Sequence, residues 1–137
     1  MSLDRFLQAL EKTYAGALAE LQAGRKTGHW IWWVFPQLRG LGKSEFATFY
    51  GLADEAEARA YLQHPILGVR YRACVAAVHA HICERGADPQ VVMGSEVDVL
   101  KLASSLELFL DAAEPADGRL RGWAADMLAR LRLKDSA

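Results

Sequence analysis

Cysteine and proline are scarce in this 137-residue chain, which has two of the former and four of the latter. Neither sign of charge dominates, since sixteen basic residues face seventeen acidic ones for a formal net charge of -1. Each shortage excludes something. Cys74 and Cys83 are nine positions apart, and at ~100° per residue they fall on opposite faces of one helix, so no disulfide links them. Without a net positive field, nucleic acid is disfavoured as a partner and any anion site must be local. No apolar run approaches the ~20 residues that cross a bilayer. Met1-Ser2-Leu3-Asp4-Arg5 lacks the basic and apolar regions of a secretory signal. Together with unpaired cysteines, these features predict a cytoplasmic protein with no membrane partner.

Metal-ligand spacing is also missing. His79 and His81 diverge by ~200° on a helix, and there is no Cys-x-x-Cys or His-x-x-x-His. No metal or cofactor is expected, and these histidines are expected to face solvent or bond locally. Sustained two-residue alternation is absent too, so no sheet is predicted.

What remains is a folded composition, 52% hydrophobic and 24% charged, consistent with one compact all-α domain over residues 1–137. Six to eight helices are predicted, several of them short. Ser2 caps the first helix and Gly24 ends it; Ser44 caps a short one that ends at Gly51. Asp54 caps Glu55 to Gln63, and Pro65 suits the first turn of the next helix, which runs to Cys83 or Glu84. Asp88-Pro89 opens a short helix ending at Gly94, Ser95 caps Glu96 to Ala112, and a last helix spans about Asp117 to Leu131. Trp30 to Phe35 has strand-like composition, but a lone strand would leave its backbone unpaired, so a short helix is expected there.

Three polar clusters could carry chemistry. Lys26, His29 and Gln37, with Arg39 and Lys43, surround Trp30, Trp32 and Trp33; aromatic faces with local cations suit a planar anionic ligand, and the bland alternative is core packing. Tyr61, His64, Arg70 and Arg72 flank the Pro65 corner, where the early N–H groups of Leu67 and Gly68 could cradle an anion; a histidine there equally bonds backbone. Asp98, Lys101, Ser104 and Ser105 lie on one helix, where Asp98 and Lys101 could form an ordinary ion pair. The run Gly40-Leu41-Gly42-Lys43-Ser44 lacks the spacing and the preceding strand of a phosphate loop.

Several strings are specific. They are Lys26 with His29-Trp30-Ile31-Trp32-Trp33-Val34-Phe35-Pro36-Gln37; Gly40-Leu41-Gly42 with Ser44; Ala58 to Gly68; and Asp98-Val99-Leu100-Lys101-Leu102 with Ser104-Ser105-Leu106 and Phe109. In these the chain resembles the bacterial domain-of-unknown-function family eighteen-ten, often labelled calpastatin, over about Leu3 to Phe109. The resemblance implies a small all-α protein and no established activity. Gly28 and Glu107 stand where it implies serine and threonine. A more distant likeness of layout is to the NADAR group, helical proteins associated with NAD and ADP-ribose and acting on N-glycosidic bonds.

The expectation is that the three clusters converge on one pocket where a phosphate-bearing or nucleotide-like molecule binds and can be hydrolysed. Lys26, Arg70 and Lys101 would neutralise the anion, Trp30 or Trp32 would stack, and His29 or Asp98 would handle protons. The alternative is a protein-interaction module anchored by exposed aromatics.

Overall fold

A computed structural model describes residues 2–136, with side-chain surroundings through Arg132. Eight α-helices follow in order: α1 (Asp4–Ala23), α2 (Ile31–Val34), α3 (Glu45–Phe49), α4 (Glu55–Gln63), α5 (Leu67–His79), α6 (Pro89–Met93), α7 (Glu96–Ala112) and α8 (Gly118–Ser136), with a π-turn over Ala80–Glu84 continuing α5. Among the described residues there is no strand.

The predicted caps have a direct physical basis. Ser44 Oγ accepts the Ala47 N–H at 3.0 Å, Asp54 Oδ1 that of Glu57 at 2.9 Å, Asp88 Oδ1 that of Gln90 at 2.9 Å and Ser95 Oγ that of Asp98 at 3.1 Å. Each oxygen satisfies a donor that the first helical turn leaves free. Gly24 and Gly94 end α1 and α6 in the left-handed region, with φ of 79° and 87°. At the start of α1 the capping position is Leu3 rather than Ser2, although Ser2 Oγ still accepts the Asp4 N–H at 3.0 Å.

The corner between α4 and α5 differs from expectation. Pro65 lies outside α5, which begins at Leu67. His64 takes the capping role through Nδ1, which accepts the N–H groups of Ile66 at 3.1 Å and Leu67 at 3.3 Å. Gly68 N–H donates to the His64 carbonyl at 2.9 Å and Arg70 N–H to that of Ile66 at 3.1 Å. The donors once available for an anion cradle are thus satisfied within the chain. At its other end α5 runs into the π-turn, closed by Arg85 N–H on Ala80 O at 3.1 Å.

Helix α5 packs against α1, α4 and α8, while α7 lies against α4, α6 and α8. Their shared interior is aromatic: Tyr71 stacks on Phe109 at 4.1 Å, and Tyr61 meets Phe6 edge-on at 5.1 Å. His79 is not on the surface but buried, its Nε2 3.1 Å from Asp126 Oδ2 on α8. His81 Nε2 lies 2.8 Å from the Gln22 carbonyl on α1, so each histidine has a partner on another helix, and His79 Nδ1 also lies 4.0 Å from Glu84 Oε1 nearby in the chain. Cys74 and Cys83 are free thiols, the first buried. One isolated parallel bridge joins Leu38 to Leu52, with Arg39 N–H on Leu52 O at 2.8 Å and Leu52 N–H on Gln37 O at 2.9 Å. It fixes the chain just after the tryptophans.

Candidate functional site

The tryptophan segment is anchored by Glu20, in the last turn of α1. One of its oxygens, Oε1, accepts the N–H groups of Thr27 at 2.7 Å and Gly28 at 2.8 Å and the Trp30 indole N–H at 3.1 Å. Burial acts to raise the Glu20 pKa, but the donors from Gly28, Thr27 and Trp30 together outweigh it and hold the carboxyl below its ordinary value. The loop is thereby bent over the end of α1, placing Lys26 inward.

Lys26 is only 8% exposed. A buried ammonium needs partners on every side, and Lys26 has three: the Gly28 carbonyl at 2.6 Å, Asp98 Oδ2 at 2.7 Å and the face of Trp30 at 4.9 Å. Its own N–H donates to Val92 O at 2.8 Å. The first and third predicted clusters therefore meet at the Lys26–Asp98 pair. Lys101, one turn along α7, lies 4.0 Å from Asp98 Oδ1 and 4.8 Å from the centre of the Trp32 ring. Two lysines share one carboxylate, and the closer one is Lys26. The trio carries one positive charge in excess, on the Lys101 side.

That side opens on a cleft of about 220 Å3, including its mouth, lined by Trp32, Gln37, Ala47, Tyr50, Gly51 and Lys101 among others. Its base has room for about one water molecule. The Trp32 indole N–H is buried and has no acceptor among the described residues. Trp33, by contrast, donates to Thr13 Oγ1 at 2.9 Å. Gln37 is held at the cleft by the Leu38–Leu52 bridge. Gly51 has to be glycine, because a Cβ there would come 2.6 Å from Arg39 Cα and 2.8 Å from the Ala47 carbonyl.

The remaining predicted residues lie elsewhere. Tyr61 is buried in the aromatic interior, with its hydroxyl 3.4 Å from the Trp33 carbonyl, and burial holds its phenol well above the ordinary value. His64 caps α5, and the Arg70 guanidinium sits over the Tyr14 ring at 4.8 Å. Ser105 is buried against the Tyr71 hydroxyl at 3.0 Å. Ser104 lines a separate shallow groove with Leu41, Glu107 and Asp111. Trp30 is 3% exposed, one face given to Lys26. His29 is exposed, and no side-chain hydrogen bond or ion pair joins it to the described residues.

The single-pocket expectation is corrected accordingly: two clusters meet, and the Tyr61–Arg70 corner does not line the cleft. A wider groove of about 620 Å3, again including open space, holds Ser104, while one of about 610 Å3 holds Arg59 and Arg72. In the latter Arg72 is already committed to Asp117 at 2.7 Å. Sequence reading missed Glu20, Ala47, Tyr50 and Gly51. Only Glu20 left a trace, as an acid in a last helical turn, where the helix dipole disfavours negative charge.

Among described residues, no group of histidines, cysteines and carboxylates could hold a metal ion, and no helix is long and apolar enough to cross a membrane.

Comparison with known proteins places this geometry in a family. The crystal structure of the conserved hypothetical protein Rv1873 from Mycobacterium tuberculosis is 43% identical and superposes with a TM-score of 0.80, covering 90% of this chain and 84% of that one. No curated protein matches the chain. The model of the family described as protein of unknown function (DUF1810) matches residues 1–123, and the chain belongs to that family.

Proposed function

We propose that the cleft beside Trp32 binds a small anionic, nucleotide-like molecule. The reading rests on one observation: Trp32, whose buried indole N–H has no acceptor among the described residues, lines the same cleft as Lys101, whose charge is not fully matched. An unsatisfied buried donor costs about 1–3 kcal/mol, which an acceptor atom of a ligand would recover. In this reading Lys101 neutralises the anion, Trp32 Nε1 donates to it and the Gln37 amide adds a neutral donor or acceptor. Lys26 and Asp98 are positioning residues, because each already holds the other at 2.7 Å. Binding is favoured over hydrolysis: Asp98 is engaged as a counter-ion and His29 stands exposed.

Tryptophan fluorescence titrated with nucleoside monophosphates, NAD and ADP-ribose tests the reading. Trp32 is expected to respond, and Lys101→Met to weaken binding by about tenfold or more, the worth of a charge-assisted hydrogen bond. A flat response across the panel would sink the proposal. A second reading, docking of a partner protein, draws support from Leu41, Phe46 and Phe49, which are 61%, 51% and 57% exposed. A cross-linked protein partner that protects Phe46 and Phe49 would favour it.

A further inference from the structure

Resting on the ligand reading above, we infer that Phe46 on α3 occupies the place of the ligand's planar ring, so that α3 is a lid the ligand displaces. Phe46 meets Trp32 edge-on at 5.1 Å and Trp33 at 6.0 Å, yet half of it faces solvent. A ring that completes an aromatic surface while remaining half wet is the cheapest one to exchange. The cleft beside α3 has room for about one water, although it is lined by Trp32, whose buried indole N–H has no acceptor among the described residues. A ligand can reach that donor only if something moves, and the lid is built unevenly enough to say which part.

Its C-terminal end is tied down. Arg39 donates to the carbonyls of Thr48 at 3.2 Å and Gly51 at 3.0 Å, Arg5 also donates to Gly51 O at 3.2 Å, and the bridge at Leu52 follows. Its N-terminal end is loose: Ala47 is its single buried residue, and the preceding loop turns through Gly40 at φ 99° with open space around it. The lid therefore swings at Gly40–Gly42 about its anchored end, carrying Phe46 off Trp32. With Phe46 gone, Trp32 offers ring surface for a planar heteroaromatic group beside Lys101, whose ammonium lies 4.8 Å from the centre of the same ring and takes the anion. One excess positive charge matches a single anionic group, as in a nucleoside monophosphate, better than a polyphosphate.

Calorimetric titration of adenosine 5′-monophosphate, adenosine and inorganic phosphate into the wild-type protein, Phe46→Ala and Gly42→Ala tests this. Because Phe46 is half exposed, its truncation lowers the melting temperature by only a few degrees, and removing the placeholder raises affinity for the monophosphate by about three- to tenfold. Gly42→Ala puts a Cβ 2.7 Å from that of Ala47, which must shift, and only in ordinary contact with Gln37 Nε2 at 3.5 Å, so the lid is wedged and stopped-flow association accelerates. If the wild type binds the monophosphate but Phe46→Ala binds it equally or more weakly, Phe46 is no placeholder and the lid idea is overturned while the ligand reading stands. If none of the three compounds binds any of the proteins, both fall. Tighter binding with inorganic phosphate unaffected supports the exchange of rings.

Discussion

A carboxylate in the last turn of α1 opposes the helix dipole, and Glu20 persists there because three N–H groups converge on one of its oxygens. Glu20→Gln is expected to destabilise the fold by about 1 kcal/mol, the scale of weakened hydrogen bonds, and to shift Trp30 emission. The pH dependence follows from the lowered carboxyl: the folded state binds the proton less readily than the unfolded one. Its contribution is complete above the ordinary glutamate value of 4.5 and is lost as pH falls through the lower folded value. The melting-temperature gap between wild type and Glu20→Gln should be constant near neutrality and close below about pH 4.5; a gap that widens in acid would contradict this origin. Lys26→Met leaves Asp98 with Lys101 alone, and breaking such a largely buried pair is expected to cost about 3 kcal/mol in chemical denaturation. At this scale the sequence named Lys26, Asp98, Lys101, Trp32 and Gln37, because their chemistry is written in their type. It could not show that Asp98 turns toward Lys26, a pairing between α7 and the loop after α1 that only packing creates.

Among the elements, legibility followed local chemistry. Ser44, Asp54, Asp88 and Ser95 announce their helices because each cap bonds within three residues. The start of α5 was misread, since Pro65 is a generic first-turn signal whereas capping by His64 Nδ1 depends on how α4 enters the corner. That corner has no slack. A methyl at Gly68 would overlap the Leu62 carbonyl, a backbone atom that cannot step aside without moving α4. Gly68→Ala is expected to cost about 3 kcal/mol or more, or to prevent folding, as read by urea denaturation. A loss below about 0.5 kcal/mol would show that the two helices separate more easily than their geometry indicates. α3 stands in contrast, since its sequence reads as an ordinary short helix, and its firmer hold at the C-terminal end depends on Arg39 and Arg5 reaching Gly51.

For the whole molecule, the fold class was legible because helical periodicity and punctuation agree along the entire chain. The cleft was not, because its walls come from α2, α3, α7 and the bridged loop, and no local rule brings these together. The interior supplies its own reporter of global stability. Cys74 is buried on α5, and burial pushes its thiol up to about 12, so reaction with iodoacetamide should be negligible in the native state and should track global unfolding. A fast native reaction at Cys74 would mean that α5 opens separately. The π-turn at Ala80–Glu84 bears on this same helix as a matter of chain length. A π-turn holds one residue more than an α-helical turn, each residue carries ~100° of rotation, and this one closes α5 at Glu84. Losing Ala80 would leave everything before it in phase, including the contact of His79 with Asp126, but would rotate His81 away from Gln22 and Ile82 away from the core by ~100°. The turn thus sets the length of the central helix at its far end, where one residue fewer would cost the contacts of that end and none before it.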